Sequence, residues 1–278
     1  MWVYLNGQIL KENEARVSPL DRGFTFGDGV YEVIPCYNNR LFLFDEHLKR
    51  LKASLELTFI PLTDEIKNLD KILLELQKKN KFLNQSFYIQ VTRGVDEVRA
   101  HAVEKKMQPT VFITSQELQK NPFRIDPSQQ GIKVRLEEDI RWHRCDIKTI
   151  ALLGNTLSIN DPNKSKVDEI IFYKDGIINE GAKSNVFIFY KGKVLTPSLD
   201  QNILPGITRG HIIKEMRNND IDVHETEISI EKFLDAEEVW VTSSTKEVQP
   251  VSKINQYTLP SKNLEDSIWY KVLKFLES

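Results

Sequence analysis

The sequence predicts an α+β protein of two domains, and three observations carry that reading. The chain has 278 residues, enough for about two domains at roughly 150 residues each. Short apolar segments suited to strands are interleaved with apolar stripes of helical spacing. Between Gln116 and Pro127 the chain turns polar and carries Pro122 and Pro127, which mark a linker, so the expected division is 1–119 and 120–278.

The elements follow in order. Val3 to Leu5 and Gln8 to Leu10 flank Asn6-Gly7, a hairpin turn. A second pair, Tyr31 to Tyr37 and Leu41 to Phe44, turns at Asn38 to Arg40. It precedes a helix expected to be capped by Asp45, with Leu48, Leu51 and Leu55 on one stripe. Thr63 opens another helix, with Ile66, Leu69, Ile72, Leu73 and Leu76 spaced to pack on a sheet. Phe87 to Arg93 and Thr110 to Thr114 are expected strands, separated by a polar stretch too long for a tight hairpin. In the second half, expected strands at Val134–Leu136, Glu169–Tyr173, Asn185–Tyr190 and Glu238–Thr242 alternate with helices at Ile207–Asn218 and Ser229–Asp235.

Composition excludes several functions. With 38 Lys plus Arg against 40 Asp plus Glu, a net charge of −2 gives no field for gathering nucleic acid or an anionic membrane. No apolar run approaches the roughly 20 residues of a bilayer crossing. Cys36 and Cys145 can form at most one bridge, so no disulfide framework is expected and the cytoplasm is the expected compartment. The opening residues lack a basic-then-apolar signal pattern and are expected to stay in the fold.

Chemistry gathers in separate pieces. Lys148 lies in a stretch rich in Trp, Ile and Leu, where a desolvated amine can react with a carbonyl. Glu180 stands just before the expected strand Asn185–Tyr190, and Leu204-Pro205-Gly206-Ile207-Thr208 reads as a turn entering a helix, whose free N–H groups suit phosphate. Thr242 to Thr245 end a strand in four hydroxyls, further donors for phosphate oxygens. Each piece alone has an ordinary reading: a solvated lysine, a loop acid, a helix cap, a turn. One lysine, one carboxylate and a phosphate cradle together suggest pyridoxal 5′-phosphate.

With Phe26 to Glu32, Asp45 to Leu51, the Lys148 segment, Glu180 to Phe187, Leu204 to Arg209 and Thr242 to Val248 in this order, the chain resembles the class IV, or fold-type IV, pyridoxal-phosphate aminotransferases. The family includes D-amino-acid and branched-chain aminotransferases and aminodeoxychorismate lyase. The resemblance implies a smaller N-terminal α/β sandwich-like domain and a larger C-terminal pseudo-barrel domain. It makes Lys148 the lysine that bonds the coenzyme and moves the Cα proton, and Glu180 the partner of the pyridine nitrogen. It further implies that Arg50, the N–H groups of Ile207 and Thr208, and the hydroxyls of Ser244 and Thr245 hold phosphate. Leu204 would press on the ring, and Tyr31 would line the substrate side.

Arg99-Ala100-His101 resembles the Arg-x-His carboxylate trap of D-amino-acid aminotransferases, which implies D-substrates, 2-oxo acid acceptors and a homodimer whose trap reaches the neighbouring subunit. A guanidinium and an imidazole that fix the carboxylate also decide which Cα–H faces the lysine. The chain departs from that subfamily after the trap, where His-x-Phe-Pro is common and His101-Ala102-Val103-Glu104 stands here. It departs again at Lys183, which stands in place of a small hydroxyl residue and puts a cation beside the substrate carboxylate, beside Glu180, or in solvent. The expected function is D-amino-acid transamination. The alternatives are a branched-chain L-aminotransferase, an aminodeoxychorismate lyase, or a coenzyme-binding protein without activity.

Overall fold

The computed structural model describes residues 1–103 and 106–276; Glu104, part of the departure noted after His101, lies outside them. The chain forms two compact units, one of residues 1–119 with 147–152, the other of residues 120–146 with 153–278. The segment carrying Lys148 therefore belongs to the N-terminal unit, although a linear boundary at Lys120 assigns it to the C-terminal one.

The N-terminal unit contains β1 (Trp2–Leu5), β2 (Gln8–Lys11), α1 (Arg22–Phe26), β3 (Gly29–Tyr37), β4 (Arg40–Leu41), α2 (Phe44–Leu57), α3 (Asp64–Lys67), α4 (Leu69–Asn80), β5 (Gln85–Thr92) and β6 (Thr110–Glu117). Its strands form an antiparallel sheet in the order β2-β1-β6-β5-β3-β4. Val30, Ile34 and Cys36 of β3 alternate inward, as a half-buried strand requires, and meet Leu51 and Leu55 of α2 and Leu69, Leu73 and Leu76 of α4 in one core. Two expectations need correction. The helix after β4 begins at Phe44 behind Leu43, whose left-handed φ of 48° turns the chain, so Asp45 lies in the first turn and not at the cap. The helix opened by Thr63 breaks at Asn68, which ends α3 and begins α4.

The C-terminal unit contains α5 (Pro122–Ile125), β7 (Ile132–Glu138), α6 (Leu153–Ile159), β8 (Glu169–Lys174), β9 (Ile177–Gly181), β10 (Asn185–Tyr190), β11 (Lys193–Thr196), α7 (Ile207–Asn218), β12 (Val223–Glu225), α8 (Ile230–Leu234), β13 (Glu238–Ser243), β14 (Glu247–Ile254), β15 (Tyr257–Thr258) and α9 (Ile268–Lys274). Among the described residues nine strands join in one mixed sheet, in the order β12-β11-β10-β13-β14-β7-β8-β9 with β15 on β14. Glu180 precedes β10, as expected, and itself lies near the end of β9, which pairs with β8. In the paired strands β10 and β13, Phe187 faces Trp240, and the two rings stack at 5.7 Å with both side chains fully buried. Replacing Phe187 by Ala removes this stacked volume and should cost about 3–5 kcal/mol of stability, read from the urea midpoint. A cost below about 1 kcal/mol would show that the site collapses around the missing ring.

Candidate active site

In the N-terminal unit the backbone fixes Lys148. Its carbonyl accepts the Tyr31 N–H at 3.0 Å, Ile150 N–H donates to the Gly29 carbonyl at 3.1 Å, and Thr149 bridges Val30, so the segment runs beside the start of β3. Ile147 is buried in the core, leaving Lys148 half-buried with Nζ 4.3 Å from the centre of the Tyr31 ring. Tyr31 also packs against Tyr88 on β5, at 5.6 Å between rings.

Behind Tyr31, on the opposite face of β3, is Glu32, which is fully buried. Arg50 grips it with Nε at 2.9 Å and Nη2 at 2.6 Å, His47 Nδ1 lies at 3.0 Å, and the Val33 N–H donates at 2.9 Å. His47 and Arg50 reach one carboxylate because residues three apart share a helix face. Burial pushes the Glu32 pKa up, but Arg50 and His47 outweigh it and hold the carboxyl well below its ordinary range. Burial lowers the His47 pKa, with Arg50 and Lys148 adding to the effect and Glu32 opposing it. Arg50, expected at the phosphate, thus commits Nε and Nη2 to Glu32.

In the C-terminal unit Glu180 is the buried acid. Its Oε1 accepts from Arg141 at 2.6 Å, and its Oε2 accepts from the Leu204 N–H at 3.0 Å and from Asn185 Nδ2 at 3.1 Å. Arg141 is held in turn by Asp139 at 2.9 and 2.7 Å and by the Asn202 carbonyl at 3.1 Å, and Asp139 accepts from Asn179. Burial drives the Glu180 pKa up to about 7, although Arg141 and the Leu204 N–H pull it down. Such a carboxyl stays charged more readily when a further cation meets it.

The same unit fits a phosphate-bearing ring. Gly206 caps α7 without a side chain, leaving the Ile207 and Thr208 end open, and a Cβ at Gly206 would collide with Asn185 Oδ1. Asn185 pairs across the strands with Thr242, whose buried hydroxyl has no hydrogen-bond partner among the described residues. Half-buried Ser244 and Thr245 follow in the turn after β13. Uncapped N–H groups at the helix start and neighbouring hydroxyls form a donor set suited to phosphate.

Arg99 and His101 are exposed in the N-terminal unit and flank Phe26: the Arg99 guanidinium is 4.6 Å and the His101 ring 5.2 Å from the Phe26 ring centre. Lys183 is exposed in the C-terminal unit, where Nζ donates to the Asp168 carbonyl at 3.1 Å. Sequence reasoning missed Glu32, His47, Arg141 and Asn185. Only Glu32 carries a local signal, an acid at an inward strand position between Val30 and Ile34.

A family model described as amino-transferase class IV matches residues 29–254. The chain is 36% identical over 253 residues to a D-alanine aminotransferase of Staphylococcus haemolyticus, covering 91% of this chain and 89% of the relative. It is 34% identical over 280 residues to one of Bacillus licheniformis, covering 98% of each. Its fold matches the Escherichia coli branched-chain amino acid aminotransferase at a TM-score of 0.89 and 22% identity, over 98% of this chain and 92% of that one.

The Glu180 environment gives a pH test on the coenzyme-free chain. The folded chain binds this proton more tightly than the unfolded chain does, so the group's contribution is full below the ordinary 4.5 and is lost as pH rises through about 7. Relative to Glu180→Gln, the wild type should lose about 3 kcal/mol between about pH 4 and about pH 8. Parallel stability profiles for the two proteins would contradict this environment.

Proposed function

The chain belongs to the class IV aminotransferases, and from that premise we propose that it transfers the amino group between D-amino acids such as D-alanine and D-glutamate and the 2-oxo acids pyruvate and 2-oxoglutarate in a ping-pong cycle. The observation that carries the choice of enantiomer is the pair Arg99 and His101 beside Phe26, and the 34% and 36% identity to D-alanine aminotransferases supports it. The family uses pyridoxal 5′-phosphate, which when bound supplies an aldehyde carbon to take up the amino group and a ring that withdraws electrons.

The residues divide the work. Lys148 Nζ, on the Tyr31 side, takes the proton from the substrate Cα and returns it, a base whose position is set by backbone hydrogen bonds to β3. Glu180, its carboxylate held in place by Arg141, would meet the coenzyme's pyridine nitrogen and favour its protonated form. The N–H groups of Ile207 and Thr208, the Ser244 and Thr245 hydroxyls and Arg50 would hold the coenzyme's phosphate, and Leu204 would lie against its ring. Arg99 and His101 bind the substrate carboxylate, which sets the Cα–H presented to Lys148. Lys183 is assigned to the substrate approach, and its amine donates to the Asp168 carbonyl.

The working form is a homodimer, supported by large apolar side chains exposed on each unit: Phe24, Phe59 and Val98 on one, Leu153 and Leu157 on the other. Its compartment is the cytoplasm, supported by two cysteines that are free, buried thiols.

An amino-donor panel with both enantiomers tests the reading. Coenzyme-loaded enzyme should form pyruvate from D-alanine with 2-oxoglutarate as acceptor, and Lys148→Ala should lower turnover by about 10³-fold or more. Faster turnover of L-leucine than of D-alanine would favour the branched-chain alternative. Pyruvate released from aminodeoxychorismate without an acceptor would favour the lyase.

A further inference from the structure

We propose that Arg22 is a positioning residue for the amino donor: it holds the main chain at Ala100 and His101 so that the Arg99 and His101 side chains meet the substrate carboxylate in a fixed orientation. The inference rests on the proposed carboxylate role of those two residues and adds what holds them.

Arg22 is 4% exposed on α1. Its guanidinium donates from Nη1 to the Ala100 carbonyl at 2.6 Å, from Nη2 to the His101 carbonyl at 3.0 Å, and from Nε to Asp28 Oδ2 at 2.9 Å. Nη1 also reaches Asp96 Oδ2 at 3.3 Å. A planar fork with donors at fixed angles can bind two successive carbonyls while keeping its ion pair, which the single ammonium of lysine cannot. The backbone N–H of Arg22 donates to the Gly94 carbonyl at 2.9 Å, so one residue ties both the start and the far side of the loop.

The support below Arg22 is itself held by several hydrogen bonds. Asp28 accepts from Arg22 and, at 2.7 and 2.9 Å, from Arg93, which also binds the Thr58 and Phe59 carbonyls. Burial pushes the Asp28 pKa up, and the bonds to Arg93 and Arg22 more than offset it, so the anion persists. At the base of the loop Gly94 has φ of +112°, and a Cβ there would collide with the Gln108 carbonyl, so only glycine lets the two ends close. Phe26 fills the space between, its ring centre 4.7 Å from the Arg22 guanidinium and 4.6 Å from that of Arg99. A long loop left unanchored would spread Arg99 and His101 over many positions, and a displacement of about 1 Å in a positioning group is enough to cost up to about 100-fold.

Steady-state kinetics and amide hydrogen exchange on coenzyme-loaded Arg22→Lys, Arg22→Gln and Phe26→Leu test the proposal. Both Arg22 variants should raise KM for D-alanine about 10- to 100-fold while kcat moves less than about threefold. Coenzyme affinity and visible spectrum should be unchanged, and exchange at Asp96 to Val103 should speed up. Phe26→Leu, which keeps an apolar side chain at that place, should move KM and exchange in the same direction by less. Wild-type KM in folded Arg22→Gln beside a raised KM in Arg99→Ala would overturn this proposal alone. Wild-type KM in Arg99→Ala would overturn the carboxylate role of the loop and this proposal with it. A loss confined to kcat, or to coenzyme binding, would assign Arg22 to another task.

Discussion

A carboxylate removed from water has to be met by donors that are themselves held in place, and the Glu180 side chain sets that requirement for the C-terminal unit. Arg141 meets one oxygen, Asn185 and the Leu204 N–H meet the other, and Asp139 fixes Arg141. This chain of contacts brings together the end of β9, the start of β10 and the turn before α7. The glycine that opens α7 then lies against Asn185, so the acid and the uncapped helix start are parts of one construction. The N-terminal unit solves the same problem differently. Glu32 receives two bonds from Arg50, one contact from His47 and one N–H, and its proton affinity falls, whereas that of Glu180 rises to about 7. Glu32 is thereby a fixed anion that orders its surroundings, while Glu180 is held near its ionisation point, which suits the role proposed for it at a pyridine nitrogen.

Lys148 depends on a second device. The segment Ile147–Leu152 leaves the sequence neighbourhood of the C-terminal unit and docks beside β3 through Tyr31, Gly29 and Val30. Ile147 anchors in the core, and the lysine that follows is left over the Tyr31 ring. Alternation in and out of the core places this amine, and the local sequence shows only its first half, the apolar residues around a lysine. The proposed role of Lys148, returning a proton to one face of Cα, needs that restraint.

Much of the fold is legible from local pattern. The helix Ile207–Asn218 begins and ends where proline, glycine and periodicity place it, and the paired apolar strands β10 and β13 announce themselves by composition. β9 is hidden because Asn179 and Glu180 interrupt its short apolar run, and β14 because it carries Pro250. The candidate site divides along the same line. Lys148, Glu180 and the Leu204–Thr208 turn stand out because reactive or glycine-rich groups interrupt apolar sequence. The residues that hold them do not: Arg141 meets Glu180 across 39 positions, and Arg22 reaches His101 across 79. Such pairs are fixed by the register of strands and loops, which no window of the sequence contains.

The central claim is that the amine at position 148 is the one joined to the coenzyme. Borohydride reduction of the coenzyme-loaded enzyme, followed by proteolysis and mass mapping, addresses it directly. The account predicts a pyridoxyl phosphate group on the peptide containing Lys148. Attachment at a different lysine, or no attachment in an enzyme that still transaminates, would contradict it.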